Sequence, residues 1–190
     1  MFLPYLEKAI AALETLRALE GALKTACETL TESLSNGGKI LTCGNGGSAA
    51  EAAHFATEFL CRFDRDRPSL PAINLSADGS FLTATGNDYE FVTVFARQID
   101  GLARKGDVLV VFSTSGNSPN IVEALRSART RGMKTIALLG RNGGAAAPLA
   151  EIPLIVACQT TSHIQEAHQV LLHHICSTVE QQLFPSLLRP

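Results

Sequence analysis

The segment Lys39-Ile-Leu-Thr-Cys43 is an apolar strand pattern that runs directly into the glycine-rich loop Gly44-Asn-Gly-Gly-Ser48 and then into a helical pattern. A second segment repeats this design, with Asp107-Val-Leu-Val-Val-Phe112 leading into Ser113-Thr-Ser-Gly-Asn-Ser118. A parallel strand that ends in such a loop directs backbone N–H groups and hydroxyls to one spot at the positive end of the next helix. Neither loop contains Lys or Arg, so neutral donors and the helix dipole would hold an anion there. We interpret both loops as parts of a phosphate site, and the ligand as a small sugar phosphate.

The rest of the chain alternates strand and helix patterns in the same way. After a helical segment at 1–36, which Asn36-Gly37-Gly38 ends, we predict strands at 39–43, 72–75, 107–112, 134–139 and 153–157 and helices at 48–60, around 91–99, from about 118 to 131 and at 162–183. Ser48 should cap its helix, with Glu51 completing a capping box, and Ser118 should cap the helix that begins at Pro119. The stretch from Asp78 to Asp88 is predicted as turns. This order indicates an α/β protein with a parallel sheet covered on both faces, whose ligands bind at the carboxyl ends of the strands.

Composition excludes several classes of function. The 190 residues suffice for one domain spanning 1–190, with the core at 37–190, and a net charge of −2 argues against nucleic acid as the ligand. No apolar run approaches the roughly 20 residues of a membrane span, and no signal peptide is evident, so we expect a cytoplasmic protein. The five dispersed cysteines indicate buried thiols. With 46% hydrophobic and 18% charged residues, self-association is expected.

A nucleotide cofactor is an alternative that the first loop raises. Gly44, Gly46 and Ala49 match G-x-G-x-x-A, but the acidic residue that should end the second strand is missing, since that strand leads into Ser76 and Ala77. A phosphate-binding loop of the Walker type is excluded because no Gly-Lys-Ser/Thr follows. The pattern therefore favours a phosphorylated ligand without a dinucleotide.

Two helices carry residues that can move protons or hold a metal. His54 and Glu58 are four residues apart and face the same way. On the last helix, His173 lies about 80° around the axis from Gln165, His168 about 60° the other way, and His174 opposite. A solvated ion pair and histidines packed at a subunit contact are the plain alternatives. Glu58, however, is flanked by apolar residues near the first loop, where a carboxylate is a candidate base.

These motifs together resemble one known family. Gly44-Asn-Gly-Gly-Ser48, His54-Phe-Ala-Thr-Glu58, Arg67-Pro68, Gly86-Asn-Asp88, Ser113-Thr-Ser-Gly-Asn-Ser118 and Ile164-Gln-Glu-Ala-His168 occur in the order typical of the SIS (sugar isomerase) family, and most closely resemble its phosphoheptose isomerases. The match runs from the first strand to the last helix. The resemblance implies a single SIS domain with three layers, a five-stranded parallel sheet of flavodoxin-like order, and long terminal helices that form a homotetramer.

The resemblance also implies an activity and a site. The activity is the isomerisation of sedoheptulose 7-phosphate to D-glycero-D-manno-heptose 7-phosphate, through an enediol, for bacterial heptose biosynthesis. The resemblance assigns proton transfer to Glu58 and His173, and zinc to His54, Glu58, Gln165 and His173. The implied substrate contacts are Asn45, Gly46, Gly47, Ser48, Glu58, Asn87, Asp88, Ser113, Thr114, Ser115, Ser118 and Gln165.

Three positions depart from the family pattern. Thr57-Glu58 keeps only the second of two acidic residues, His163 stands where Arg is common, and Ser162 stands where some members have Asp. These changes could alter contacts with sugar hydroxyls, so the reaction type is better specified than the sugar.

One alternative from another class of protein remains open. A non-catalytic tetrameric adaptor of the same fold, which binds the bacterial replication initiator, resembles the chain in Arg67-Pro-Ser-Leu-Pro71 and Leu183-Phe-Pro185. The adaptor would not need both proton-transfer groups. The presence of Glu58 and His173 favours the enzyme.

Overall fold

The structure is a computed structural model that describes residues 2–188, with side chains described through residue 186. Its helices are α1 (Phe2–Glu14), α2 (Glu20–Ser35), α3 (Gly47–Leu60), α4 (Gly79–Asp88), α5 (Val94–Leu102), α6 (Pro119–Thr130) and α7 (Thr161–Leu183). Its strands are β1 (Ile40–Gly44), β2 (Ala72–Asn74), β3 (Val108–Ser113), β4 (Lys134–Gly140) and β5 (Ile152–Val156). Short 3₁₀ turns lie at Thr15–Leu19, Phe91–Thr93, Ala147–Leu149 and Pro185–Leu188.

The strands form one parallel sheet in the order β2-β1-β3-β4-β5. This confirms the predicted fold class and strand order. In the register of β1 with β3, Gly44 pairs with Phe112, so the glycine loop and the serine loop leave the sheet side by side. The chain order reverses between these two strands, and open α/β sheets bind their ligands at such a switch point. The fold therefore brings the two predicted loops to one place.

Helices cover both faces of the sheet and make three layers. On one face, α2, α3 and α7 pack against the strands, with Phe55, Phe59 and Leu172 fully or almost fully buried. On the other face, α5 and α6 bury residues such as Phe95 and Ile121. Burying large apolar side chains is the main stabilising contribution to such a fold, at about 1.5–3 kcal/mol for each side chain. Because α3 and α7 both pack on the first face, the candidate catalytic residues that they carry lie on the same side of the sheet.

The N-terminal segment is not the single helix that its periodicity predicts. A 3₁₀ turn at Thr15–Leu19 separates α1 from α2. Leu13, Leu16 and Leu19 all pack against the core, and their spacing of three residues suits a 3₁₀ turn, in which residues i and i+3 lie on the same side. The Thr15 hydroxyl also donates to the Ala12 carbonyl at 2.7 Å, a local hydrogen bond that competes with regular helix.

The stretch from Asp78 to Asp88 is also different from the prediction, because it forms the helix α4. Its glycines, Gly79 and Gly86, argue against a helix by propensity alone. The Asp78 carboxylate, however, accepts hydrogen bonds from the backbone N–H groups of Ser80 and Phe81 at 2.9 and 3.1 Å. An aspartate at the N-cap satisfies donors that a helix start leaves free, and this stabilises the helix.

The predicted capping of α3 and α6 by serine is wrong in part. Helix α3 begins at Gly47 after Gly46, whose φ is +56°, and no side chain caps it. Glu51 is buried without a hydrogen bond to either carboxylate oxygen, so no capping box forms. Ser118 does occupy the N-cap of α6 ahead of Pro119, but its hydroxyl makes no capping hydrogen bond.

The sequence predicts buried cysteine thiols, and three of the five cysteines are buried. Cys27, Cys43 and Cys176 are buried, whereas Cys61 is exposed and Cys158 is partly exposed. Burial raises the pKa of the Cys43 and Cys176 thiols, which keeps them protonated.

Within residues 2–188, we find no helix with the length and apolarity that crossing a bilayer requires.

Candidate active site

The serine loop and the glycine loop enclose a small polar pocket at the carboxyl ends of β1 and β3. The pocket has a volume of about 140 Å³, and its lining consists of Asn45, Ser48, Phe112, Ser113, Thr114, Ser115 and Ser118. All of these except Phe112 are predicted substrate contacts. A phosphate would meet hydroxyls, an amide and the start of α6 there, with no charged side chain in the lining. The structure thus brings the predicted phosphate-binding residues together.

Hydrogen bonds within the serine loop hold its shape. The Gly116 N–H donates to Ser113 Oγ at 3.1 Å, and the Asn117 N–H donates to Ser115 Oγ at 3.2 Å. Gly116 has a φ of +64°, and a Cβ at this position would overlap the Gly143 carbonyl. A glycine is therefore required for the loop to turn, and the hydroxyls are oriented before any ligand arrives.

Asn120 is a residue of the site that sequence reasoning missed. Its side chain is buried and exchanges two hydrogen bonds with Asn45, each of 2.9 Å. This pair joins the glycine loop to the first turn of α6, which begins directly behind the serine loop. The available signal was an amide residue immediately after Pro119, at the start of a helix facing the pocket.

On the other side of the glycine loop, α3 and α7 bring three of the predicted chemical groups together. His54 Nε2 lies 2.9 Å from Glu58 Oε1, and the His173 ring packs edge-on against the His54 ring with 5.1 Å between centroids. His54 Nδ1 lies 3.0 Å from the side-chain oxygen of Gln169, which the sequence did not single out. Glu58 has only 19% of its side chain exposed. This cluster contains a carboxylate and two imidazoles, and its His54 lines a pocket that also borders the glycine loop.

Gln165 lies on the same pair of helices but closer to the glycine loop. Its amide packs so closely on Gly47 that a Cβ at residue 47 would overlap it. A pocket of about 510 Å³ runs from there to His54, with a lining of Gly47, Ala50, Glu51, His54, Ser162, Gln165, Glu166 and Gln169. Space for a sugar chain therefore connects the glycine loop with His54.

Glu166, in the wall of this pocket, forms a hydrogen-bond network with His163 and Tyr5. His163 is buried, and its Nδ1 lies 2.8 Å from Glu166 Oε2, while the Tyr5 hydroxyl donates to Glu166 Oε1. Burial opposes ionisation of Glu166, but the hydrogen bonds from Tyr5 and His163 outweigh it, so the pKa of this carboxyl is lowered. The histidine that replaces the common arginine thus partners Glu166.

Asn87 and Asp88 are not brought to the pockets by the single chain. They lie exposed at the end of α4, where the Asn87 amide donates to the Asp88 carboxylate at 2.8 Å. His168 packs in the core, with Nε2 3.2 Å from the Leu139 carbonyl oxygen. His174 is exposed and lies 3.4 Å from the Thr178 hydroxyl.

The predicted zinc ligands include one close pair, His54 and Glu58. Within the residues that the structure describes, no group of three or more His, Cys, Asp or Glu side chains could hold a metal ion. His54 Nε2 and Glu58 Oε1 nevertheless stand 2.9 Å apart, slightly less than the separation of about 3.3 Å between neighbouring ligands of a tetrahedral zinc. In the tautomer with the proton on Nδ1, which faces the Gln169 side chain, Nε2 is the ring nitrogen available to a metal beside Glu58. An imidazole and a carboxylate are donor types that zinc accepts, and the His173 ring packs against the His54 ring.

A larger cavity, of about 640 Å³, lies at the opposite edge of the sheet. Lys39 and Asp107, at the amino ends of β1 and β3, belong to its lining. It contains none of the predicted site residues. Parallel α/β sheets bind ligands at the carboxyl ends of their strands, which favours the smaller pockets as the candidate active site.

Known proteins resemble the chain in sequence and in fold. The profile of the SIS domain family matches residues 4–140. A phosphoheptose isomerase of Solidesulfovibrio magneticus is 52% identical over 163 residues, which cover 86% of the chain and 79% of the relative. One from Geobacter sulfurreducens is 50% identical over 169 residues, 89% of each protein.

Solved structures agree with these relatives. Phosphoheptose isomerase GmhA from Neisseria gonorrhoeae has 43% identity and a TM-score of 0.88, covering 94% of the chain and 96% of that protein. A phosphoheptose isomerase from Francisella tularensis has 41% identity and a TM-score of 0.90, covering 94% and 95%. The chain belongs to the SIS domain family and, within it, to the phosphoheptose isomerases. The predictions of the family and of an isomerase are confirmed, and the adaptor finds no support among these relatives.

Proposed function

We propose that the protein interconverts sedoheptulose 7-phosphate and D-glycero-D-manno-heptose 7-phosphate, as the first step toward heptose units of bacterial surface glycans. The observation that carries this proposal is the cluster of His54, Glu58 and His173 on α3 and α7. It lies beside loops whose hydroxyls suit a phosphate and in a chain about half identical to phosphoheptose isomerases.

The proposed reaction needs two proton transfers that the cluster can supply. A proton leaves C1 of the ketose and a proton arrives at C2, through an enediol, while a second group moves a proton between the two oxygens. Glu58 and His173 share these tasks. Glu58 keeps 19% of its side chain exposed, and a carboxylate can accept the proton of a C–H group that is held beside it.

Zinc is part of the proposal, held by His54, Glu58, Gln165 and His173. Two imidazoles, a carboxylate and an amide oxygen form an N/O set that suits this borderline cation. When bound, zinc would polarise the substrate carbonyl. A carboxylate that also held the metal would be a weaker base than a free one.

We also propose a cytoplasmic homotetramer with sites at subunit contacts. Helix α1 exposes large apolar side chains, with Phe2 at 70%, Leu3 at 67% and Ile10 at 49% exposure. A second subunit would cover this face and gain about 25 cal/mol for each Å² of apolar surface. Asn87 and Asp88 lie away from the pockets of their own chain, and assembly would place them at a neighbouring site.

The direct test is NMR observation of the purified protein with sedoheptulose 7-phosphate, with Glu58→Gln in parallel. Appearance of the aldose 7-phosphate with the parent alone supports both the isomerase and its base. If neither protein turns the sugar over in the presence of zinc, the isomerase proposal fails and the adaptor becomes the better candidate. Turnover by both would remove Glu58 from the chemistry.

A further inference from the structure

A buried ion pair lies behind Glu58, outside both pockets. Arg67 and Glu180 have only 2% and 3% of their side chains exposed, and Arg67 Nε donates to Glu180 Oε2 at 2.9 Å. Burying two charges costs several kcal/mol for each ion unless both are fully partnered. Replacing such a pair with apolar residues is often neutral or stabilising, so stability alone is a weak reason for its presence. Its other hydrogen bonds indicate what it does.

Arg67 binds the end of α3. Its guanidinium donates to the Glu58 carbonyl oxygen at 2.6 Å and to the Phe59 carbonyl oxygen at 2.8 Å. These are two of the last four carbonyls of α3, which ends at Leu60 and leaves such groups without partners within the helix. A positive charge near this end also interacts favourably with the helix dipole, whose C-terminal end is partially negative. The turn that carries the Glu58 side chain is therefore held by Arg67 through the backbone.

Glu180 in turn fixes the loop that carries Arg67. Its carboxylate accepts hydrogen bonds from the backbone N–H groups of Phe63, Asp64 and Arg65, at 3.1–3.3 Å. With the bond from Arg67, the buried carboxylate has four donors. The loop between α3 and β2 is thereby tied to α7.

The position of Glu180 on α7 connects this arrangement to the second proton-transfer residue. Glu180 follows His173 by seven residues, so the two side chains leave the helix within about 20° of each other. Hydrogen bonds thus run from the Glu58 backbone through Arg67 and Glu180 to the helix of His173. We call this pair the Arg67–Glu180 brace.

We propose that the Arg67–Glu180 brace is a positioning device that sets the distance between Glu58 on α3 and His173 on α7 during isomerisation. Neither residue is catalytic, because both are buried behind the cluster. The inference rests on the proposed function. A misplacement of about 1 Å at a reacting group costs roughly 100-fold in rate, so loss of the forked hydrogen bonds should appear in kcat.

The test compares Arg67→Lys and Glu180→Gln with the parent in two measurements. Steady-state kinetics with sedoheptulose 7-phosphate should show kcat reduced about 10-fold to 100-fold, with KM changed by less than about twofold. Hydrogen–deuterium exchange at residues 57–60 should be about tenfold faster, while the first turns of α3 exchange as before. Arg126→Lys and Glu123→Gln, in an exposed ion pair on α6, are the matched controls and should leave both readouts unchanged.

Parental kcat and parental exchange in folded Arg67 and Glu180 variants would overturn the proposal and leave the brace a local packing feature. If the single variants do not fold, Arg67→Met combined with Glu180→Gln removes both charges at similar volume, and the same two measurements decide. A parent protein without turnover refutes the isomerase, whereas the exchange comparison still shows whether the brace holds the last turn of α3.

Discussion

The two halves of the candidate site differ in how they handle charge. The phosphate pocket between the serine and glycine loops has hydroxyls and amides oriented by hydrogen bonds within the loops, and no charged side chain in its lining. The cluster on α3 and α7 consists instead of titratable groups, in which His54 contacts both Glu58 and His173. A neutral, preformed pocket holds a dianion without moving protons, whereas a titratable cluster can accept and return them. We therefore expect the pocket to bind the phosphate and the cluster to transfer protons, and the variants below test this division of roles.

The largest effect is expected for Glu58→Gln. The amide keeps the size of the side chain and its contact with His54 but cannot accept a proton, so kcat should fall by about 1,000-fold with little change in KM. Steady-state kinetics by NMR measure both constants. Glu28→Gln, on the exposed surface of α2, is the control and should behave as the parent. A fall in kcat of less than about tenfold would contradict the role of Glu58 as the base.

Removal of zinc should have the next largest effect. If His54, Glu58, Gln165 and His173 hold the metal, a chelator should lower kcat by about 100-fold, and added zinc should restore it. Elemental analysis of the purified protein should find zinc, and less of it in His54→Ala. If elemental analysis finds no zinc and the chelator leaves the activity unchanged, the metal proposal is refuted.

Ser115→Ala should affect the other half of the site. If the Ser115 hydroxyl contacts the phosphate, as proposed, its loss should raise KM about tenfold and leave kcat near the parental value, because a hydrogen bond to a charged group contributes about 1.5–3 kcal/mol. Isothermal calorimetry with the sugar phosphate measures the loss of affinity. Ser69→Ala, at an exposed position outside both pockets, should bind like the parent. Unchanged affinity in Ser115→Ala would remove this loop from the site.

The smallest effect is expected for Asn120→Ala. It removes the partner of Asn45, so a half-buried amide loses its hydrogen bonds, which should lower the free energy of unfolding by about 0.5–1.5 kcal/mol. KM should rise severalfold because the glycine loop loses its link to α6. Chemical denaturation and kinetics check the two effects, and the double variant with Asn45→Ala should be less destabilised than the sum of the singles. Strict additivity would contradict the coupling.

Sequence prediction succeeded where a pattern is local and repeated. The strands at 39–43 and 107–112 were predicted within a residue or two, because continuous apolar runs that end in glycine and serine loops have few other structures available. It failed at α4, where the glycines outweighed the capping signal of Asp78, and at Thr15–Leu19, where packing on the core decided the turn type. Asn120 and Arg67 were not assigned roles, because their partners lie far away in the chain.

What the sequence by itself determined is the α/β class, the parallel sheet and the two loops that face a phosphorylated ligand. Hydrophobic periodicity and loop chemistry act over a few residues, so they can be recognised without coordinates. Only the tertiary structure decided that Glu58 and His54 lie beside His173, that Asn120 holds Asn45, and that Arg67 joins α3 to Glu180. These contacts connect residues 75 to 119 positions apart, and their geometry depends on how the helices pack against the sheet.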